Sequence, residues 1–336
     1  MSGNLSLFVP ASATGPAGGT LVVTPLPPTA WLAAPPSFQV GDSLFLVTLT
    51  DSATGRLVAQ PTVPLTFVYR TTADELSRAL GDLSRVRLVV WSGSGWAAIP
   101  CAAGGQSQLL ACSVSHLGVF GVVITPPAAL PLDADLPNGH FFKEANGFGG
   151  AGALGFAVTD DAEARFWSEF QRLGGVARLG WPSSHRFWYR GFVTQAFQKL
   201  VLQWRPELGH AVPVNILQEF TVAQDGWLEQ VHGVPVTPDP LDDLGLPWEI
   251  IVARHQALLG PYPQLAQFYL SDPTGLETYG LPLSVHDVGG TIAVRLQRAV
   301  LQVSAGGALV VLPGSDLAEE VGLWPLEALT PGRSPE

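Results

Sequence analysis

An internal repeat constrains this chain more than any other feature does. The clearer copy reads Gly174-Gly175-Val176-Ala177-Arg178-Leu179-Gly180-Trp181-Pro182, then Arg190-Gly191-Phe192-Val193-Thr194-Gln195-Ala196-Phe197-Gln198-Lys199-Leu200-Val201-Leu202-Gln203-Trp204. About 100 residues later come Thr274-Gly275-Leu276-Glu277-Thr278-Tyr279-Gly280-Leu281-Pro282 and Gly290-Thr291-Ile292-Ala293-Val294-Arg295-Leu296-Gln297-Arg298-Ala299-Val300-Leu301-Gln302-Val303. Both share an apolar helix tail, a G-x-P turn, a glycine-centred hairpin and a closing Gln-(Lys/Arg)-x-Val-Leu-Gln. The repeat therefore predicts two α+β units, each a short helix, a glycine turn and a β-meander.

What precedes the repeat has a different rhythm. Residues 20–24, 43–49, 65–69, 86–91, 109–114 and 119–124 are short runs rich in β-branched and aromatic residues, separated by Pro, Gly, Ser and Asp clusters. That pattern predicts an antiparallel β-sandwich. One helical turn interrupts it at 72–80, where Thr72 and Glu75 have the spacing of a capping box. The expected fold class is thus multidomain: an N-terminal antiparallel β-sandwich (1–127), a Pro-rich linker (128–138), and two α+β repeat units (139–235 and 236–330). Proline removes backbone donors, so the linker is expected to lack regular structure.

Within the first unit, Thr159-Asp160-Asp161 caps a helix through about Leu173, which Gly174-Gly175 stop. Strands follow at 185–189, 192–197 and 199–204. The second unit has its helix at 262–270 and its hairpin at Gly289-Gly290. Ser315-Asp316 caps a last helix that Gly322 closes, and residues after Pro325 are expected to fray.

Composition excludes several functions. The formal net charge is −11, from 28 acidic and 17 basic residues, and no basic stripe exists, which disfavours nucleic acid and anionic membrane surfaces. No stretch of about 18 apolar residues is present, so no membrane span is expected. The start of the chain shows neither a basic n-region nor an apolar h-region. Cys101 and Cys112 lie 11 apart across an apparent hairpin, a spacing that suits a disulfide between adjacent strands and an oxidising compartment.

Candidate chemistry is sparse. Gly147-Phe148-Gly149-Gly150-Ala151-Gly152 lacks the strand, helix and acid that a dinucleotide site needs, so it reads as a flexible loop. Asp160, Asp161, Asp239, Asp242 and Asp243 are the available carboxylates, but they fall where caps and turns use them. The histidines are scattered without metal-ligand spacing, and Trp91-Ser92-Gly93-Ser94-Gly95 is a hairpin turn rather than a nucleophile elbow. No catalytic residue, metal or cofactor is expected. Trp181, Phe187, Trp188, Tyr189, Phe192, Phe197 and Trp204 crowd into about 25 residues. Of these Trp181, Trp188, Tyr189 and Trp204 are the candidate glycan contacts. A stacking platform for sugar rings and cross-strand core packing are the two readings, and both stay open here.

Two resemblances follow from these residues. Cys112-Ser113-Val114-Ser115-His116-Leu117-Gly118-Val119-Phe120 resembles the closing strands of extracellular bacterial β-sandwich modules. It also resembles an autoproteolytic sandwich family that ends in Cys…His-Leu-(Ser/Thr)-x-Phe. That family's nucleophile position is Gly118 here, so its cleavage is not carried over, and His116 reads as a strand residue bonding a neighbouring carbonyl. The G-G-V-x-x-L-G-W-P segment with its Gln-Lys strand resembles a repeat of uncharacterised secreted proteins in filamentous green non-sulphur bacteria (Chloroflexi). Its Leu-Gly-Trp-Pro core is similar to Leu-Gly-Phe-Pro repeats attached to actinobacterial cell-wall enzymes. These resemblances imply an extracellular or cell-surface protein of adhesive, scaffolding or wall-binding type. Its partners would be cell-wall glycan, other polysaccharide or another envelope protein. An accessory carbohydrate-binding role in a hydrolytic system is the alternative.

Overall fold

Two-residue alternation of burial builds the first part of the chain. In the computed structural model, which describes residues 4–14, 17–32, 38–104, 108–125, 133–143, 154–236 and 243–334, Leu65, Phe67 and Tyr69 point inward while their neighbours do not. The strands are β1 (Leu5–Phe8), β2 (Gly19–Pro25), β3 (Gln39–Asp51), β4 (Leu65–Arg70), β5 (Val86–Trp91), β6 (Trp96–Ala98), β7 (Cys101–Gly104), β8 (Leu109–Val114) and β9 (Val119–Ile124). They form two antiparallel sheets, ordered β1-β4-β8-β7 and β2-β3-β9-β5-β6. Phe45, Phe67 and Phe120 fill the space between, with ring centroids 5.1–6.5 Å apart. Each such side chain contributes about 1.5–3 kcal/mol by leaving water.

Helix α1 (Ala73–Arg78) carries the expected capping box: Thr72 accepts from the Glu75 N–H, and the Glu75 carboxylate accepts from the Thr72 N–H. Glu75 is fully buried, yet Asp42 N–H and the Tyr69 hydroxyl also donate to it, so the charge is well bonded. Cys101 and Cys112 sit directly opposite on β7 and β8 and form a disulfide.

The Gly-rich loop and residues 128–132 of the linker lie outside the described residues. The linker's end departs from expectation: β10 (Ala134–Leu136) pairs with β11 (Gly139–Phe142), which pairs with β12 (Leu154–Thr159). Pro137 follows that strand without interrupting its ladder. Next come α2 (Phe166–Arg172), α3 (Gly175–Leu179) and the meander β13 (Phe187–Tyr189), β14 (Phe192–Ala196), β15 (Val201–Arg205) and β16 (His210–Pro213). Helix α4 (Val222–His232) opens on a second capping box, Thr221 with Gln224, and ends at Gly233 in the left-handed region. Unit 2 holds α5 (Trp248–Ala257), α6 (Pro263–Ser271), α7 (Gly275–Tyr279) and the meander β17 (Pro282–Val288), β18 (Thr291–Leu296), β19 (Ala299–Val303) and β20 (Leu309–Pro313). Helix α8 (Gly314–Glu320) and β21 (Gly332–Arg333) end the described chain. Each meander is a four-stranded antiparallel sheet in sequential order.

Two expectations about the C-terminal part are overturned. Ser315 is buried inside the first turn of α8 and gives no side-chain cap, because Pro313 occupies the cap position. Residues 326–334 do not fray: Ala328 and Leu329 are buried, His185 donates its backbone N–H to the Ala328 carbonyl, and β21 pairs with β12. Trp324, 1% exposed, anchors this segment against Phe187 and Tyr189. One apolar cluster runs from the sandwich core through the inner faces of both meanders to α4 and α8.

Candidate functional site

The Gln-(Lys/Arg) pair shared by the two copies is a clamp on the glycine turn. Helices α3 and α7 end at Gly180 (φ 78°) and Gly280 (φ 74°), in backbone territory that side chains resist. A Cβ on either glycine would fall 2.7 Å or 2.6 Å from the Cβ of Gln198 or Gln297. Each glutamine then closes the turn in two ways. Its side-chain oxygen accepts from the N–H of Trp181 (3.3 Å) or Leu281 (2.9 Å), and its own N–H donates to that residue's carbonyl at 3.0 Å. The following cation caps the short helix: Lys199 Nζ donates to Ala177 O at 2.8 Å, and Arg298 donates to Glu277 O at 2.6 Å. The repeat is therefore a hydrogen-bonding device, kept in both copies.

What the clamp presents differs between copies. It holds Trp181 with 40% of its surface in solvent, whereas Leu281 is 4% exposed. Trp188 lies on β13, the edge strand of its sheet, opposite Val193, and is 66% exposed. The equivalent hairpin position in unit 2, opposite Ile292, is Asp287. Trp181 and Trp188 are thus the candidate contacts that reach the surface.

The other two are more enclosed. Trp204 is 8% exposed and belongs to the core under α2, with Phe166, Phe170, Phe197 and Leu202, so it is removed from any docking surface. Tyr189 is half-buried edge-on against Trp324, its ring centroid 5.5 Å away, and its hydroxyl lies 3.4 Å from Glu219. Burial, with Glu219 adding to it, pushes the Tyr189 phenol above its usual range. Phe187 and Phe197 are core residues, and Phe192 lies beneath Arg205 at 3.9 Å.

The candidate carboxylates are structural. Asp160 accepts from Trp167 and Ser168 at the start of α2, and Asp161 accepts from Glu163 and Ala164 and pairs with Arg186. Asp243 engages His255 at 2.8 Å and Arg254 at 3.2 Å, while Asp239 and Asp242 lie outside the described residues. His116 occupies a bend between β8 and β9 rather than a strand, and its Nδ1 lies 3.2 Å from the Ser115 hydroxyl. Among the described residues, no group of three His, Cys, Asp or Glu side chains could hold a metal ion.

Two concavities escaped the sequence reading. A cavity of about 310 Å³ between the repeat units is lined by Arg178, Lys199, Asp272, Thr278 and Tyr279 over an apolar floor that includes Ala299 and Val311. A second, of about 300 Å³, lies where α8 meets the sandwich and is lined by Arg87, Cys101, Gln198, Asp316, Glu319 and Glu320. Surrounding protein, with Glu320 beside it, pushes the Asp316 carboxyl up to about 7, although the residue remains open to water at the cavity mouth. Glu320 is itself engaged by His232 at 2.8 Å. Neither site left a local motif, because each is assembled from residues distant in sequence.

No protein-family model matches this chain, and no curated protein is significantly similar to it.

Proposed function

We propose that the chain is a non-catalytic, extracellular or cell-surface module that docks on polysaccharide, with unit 1 as its binding face. The observation that carries this reading is the exposure of Trp181 and Trp188 in a unit whose other large rings are packed away. Exposed indoles offer a flat apolar face to the C–H face of a pyranose, and a rigid clamp or strand beneath them limits the entropy lost on binding. The disulfide suits an oxidising compartment, and among the described residues no helix is long and apolar enough to cross a membrane. The test is co-sedimentation of the full chain with peptidoglycan and a panel of insoluble polysaccharides. Trp188→Ala is expected to weaken retention roughly tenfold, as loss of a central aromatic anchor does. Equal retention of the variant sinks the proposal.

A second reading is acid–base hydrolysis at the cavity of about 300 Å³, and the grouping there of three carboxyl groups, Asp316, Glu319 and Glu320, with that of Asp316 raised, favours it. Release of reducing ends from the same panel, abolished by Asp316→Asn, is the result it requires.

A further inference from the structure

The cavity between the repeat units is built from matching positions of the two copies. Arg178 of α3 and Thr278 of α7 occupy the same place in their motifs, three residues after the glycines Gly175 and Gly275, and the guanidinium donates to the threonine hydroxyl at 2.5 Å. Arg178 is half-buried, with its side chain packed close over Gly174, so its position is fixed before any ligand arrives. Lys199 stands exposed on the rim, one of its three donors used by Ala177 O. The half-buried ring of Tyr279 adds an aromatic wall. Asp272 is the lining carboxylate. The Thr274 hydroxyl, then the Thr274 N–H, hold it below the usual range, and Arg178 adds to this. In a chain with a net charge of −11 and 17 basic residues, two cations and one acid around a cavity of about 310 Å³ make a local reversal of sign.

We infer that this cavity is a subsite for a carboxylate-bearing sugar residue of an acidic polysaccharide. Arg178 provides a pinned guanidinium fork for the carboxylate, Lys199 a second charge at the mouth, and Tyr279 a face for the ring. The volume suits one sugar unit rather than an extended chain, so neighbouring residues of the polymer would run out over the rim. This inference deepens the polysaccharide-docking proposal and rests on it.

The experiment is calorimetric titration of the full chain with polygalacturonate, with polyphosphate and with an uncharged cellulose ether, at low and high salt. Polygalacturonate is expected to bind most tightly and to weaken with salt. Arg178→Gln should cost roughly tenfold in affinity for it, the loss expected for a charge-assisted bond. Asp272→Asn, which keeps the oxygen that accepts from Thr274, should tighten it a few-fold by removing a like charge. A purely structural role for Asp272 would not improve binding. Thermal melts of both variants establish that they fold. Tightest binding to polyphosphate reassigns the cavity to phosphate and overturns the inference. Equal binding of charged and uncharged polymers, or indifference to both substitutions, overturns it while leaving glycan docking standing. No binding to any polymer overturns the inference, and the co-sedimentation panel then decides the docking proposal by itself.

Discussion

Units 1 and 2 share one clamp and differ in everything placed upon it. The bonds between the glycine turn and the Gln-(Lys/Arg) pair recur at matching positions, from the turn N–H on the glutamine oxygen to the cation, ammonium or guanidinium, on the helix carbonyl. On that frame unit 1 exposes Trp181 and Trp188, where unit 2 buries Leu281 and places Asp287. In the core the substitution runs the other way. Arg295 of β18, fully buried, pairs with Asp225 of α4 at 2.8 Å and donates to Pro235 O and Leu217 O. The corresponding residue of unit 1 is Ala196, equally buried. Unit 2 has spent its variation on fastening the two units together, and unit 1 has directed its variation outward. Unit 2 does expose one indole, Trp248, but on α5, outside the clamp and meander; only unit 1 sets indoles in water on the repeated frame itself, and that contrast supports assigning docking to unit 1.

The comparison can be broken most sharply at Arg295. Arg295→Ala leaves Asp225 buried without its cation and is expected to lower unfolding free energy by about 3–5 kcal/mol, read from urea midpoints. A paired Arg295→Met and Asp225→Leu replacement should recover much of it, whereas Ala196 has no such dependence. Next in size is the core ring of unit 1. Trp204→Val, which writes the unit 2 residue Val303 into unit 1, is expected to cost about 2–4 kcal/mol by opening a cavity under α2. Trp181→Leu, the matching exchange at the surface, should stay within about 0.5 kcal/mol. Gly180→Ala and Gly280→Ala should each cost about 1–3 kcal/mol, because both meet a left-handed backbone and a glutamine Cβ. Equal losses would establish that the two clamps are one device, and a loss in one unit alone would dissolve the equivalence.

The smallest expected effect is on pH. His116 and His185 both face the C-terminal segment, near Glu327 and Thr330, and burial lowers both below the usual histidine range. A depressed histidine favours the neutral ring in the folded state, so its contribution is present above about pH 6.5 and is lost as pH falls below it. Melting temperature should therefore decline on mild acidification, and His185→Gln should flatten that decline. Asp316 acts in the opposite sense: a raised carboxyl favours the protonated folded form, so stability tied to it falls as pH climbs from about 4 towards 7.

Local order was readable in the sequence, and long-range order was not. The six strands expected in the sandwich all lie inside observed strands, and the Thr72–Glu75 capping box and the Cys101–Cys112 pair are present as read. Each of those features is decided by residues close in sequence. Helices α4 and α5 were missed because their buried faces include polar residues, Gln224 and Asp225 in one and His255 in the other, which blur the apolar period. Strands β16 and β20 were missed because each is an edge added after the repeat motif has ended. Alternation assigned Trp188 a face opposite Phe187 and Tyr189, but no local rule says that α2 covers Trp204 and leaves Trp188 bare. The cavity between the units was illegible for the same reason: Arg178 and Thr278 meet across 100 residues.

The most direct test exchanges the surface of one unit for that of the other. Trp181→Leu with Trp188→Asp gives unit 1 the residues of unit 2, in the full chain because the sandwich and both units share a core cluster. The double variant should melt within a few degrees of the parent and lose retention on the polysaccharides that the parent binds. Undiminished retention, or a parent chain that binds none of them, would contradict a docking face on unit 1.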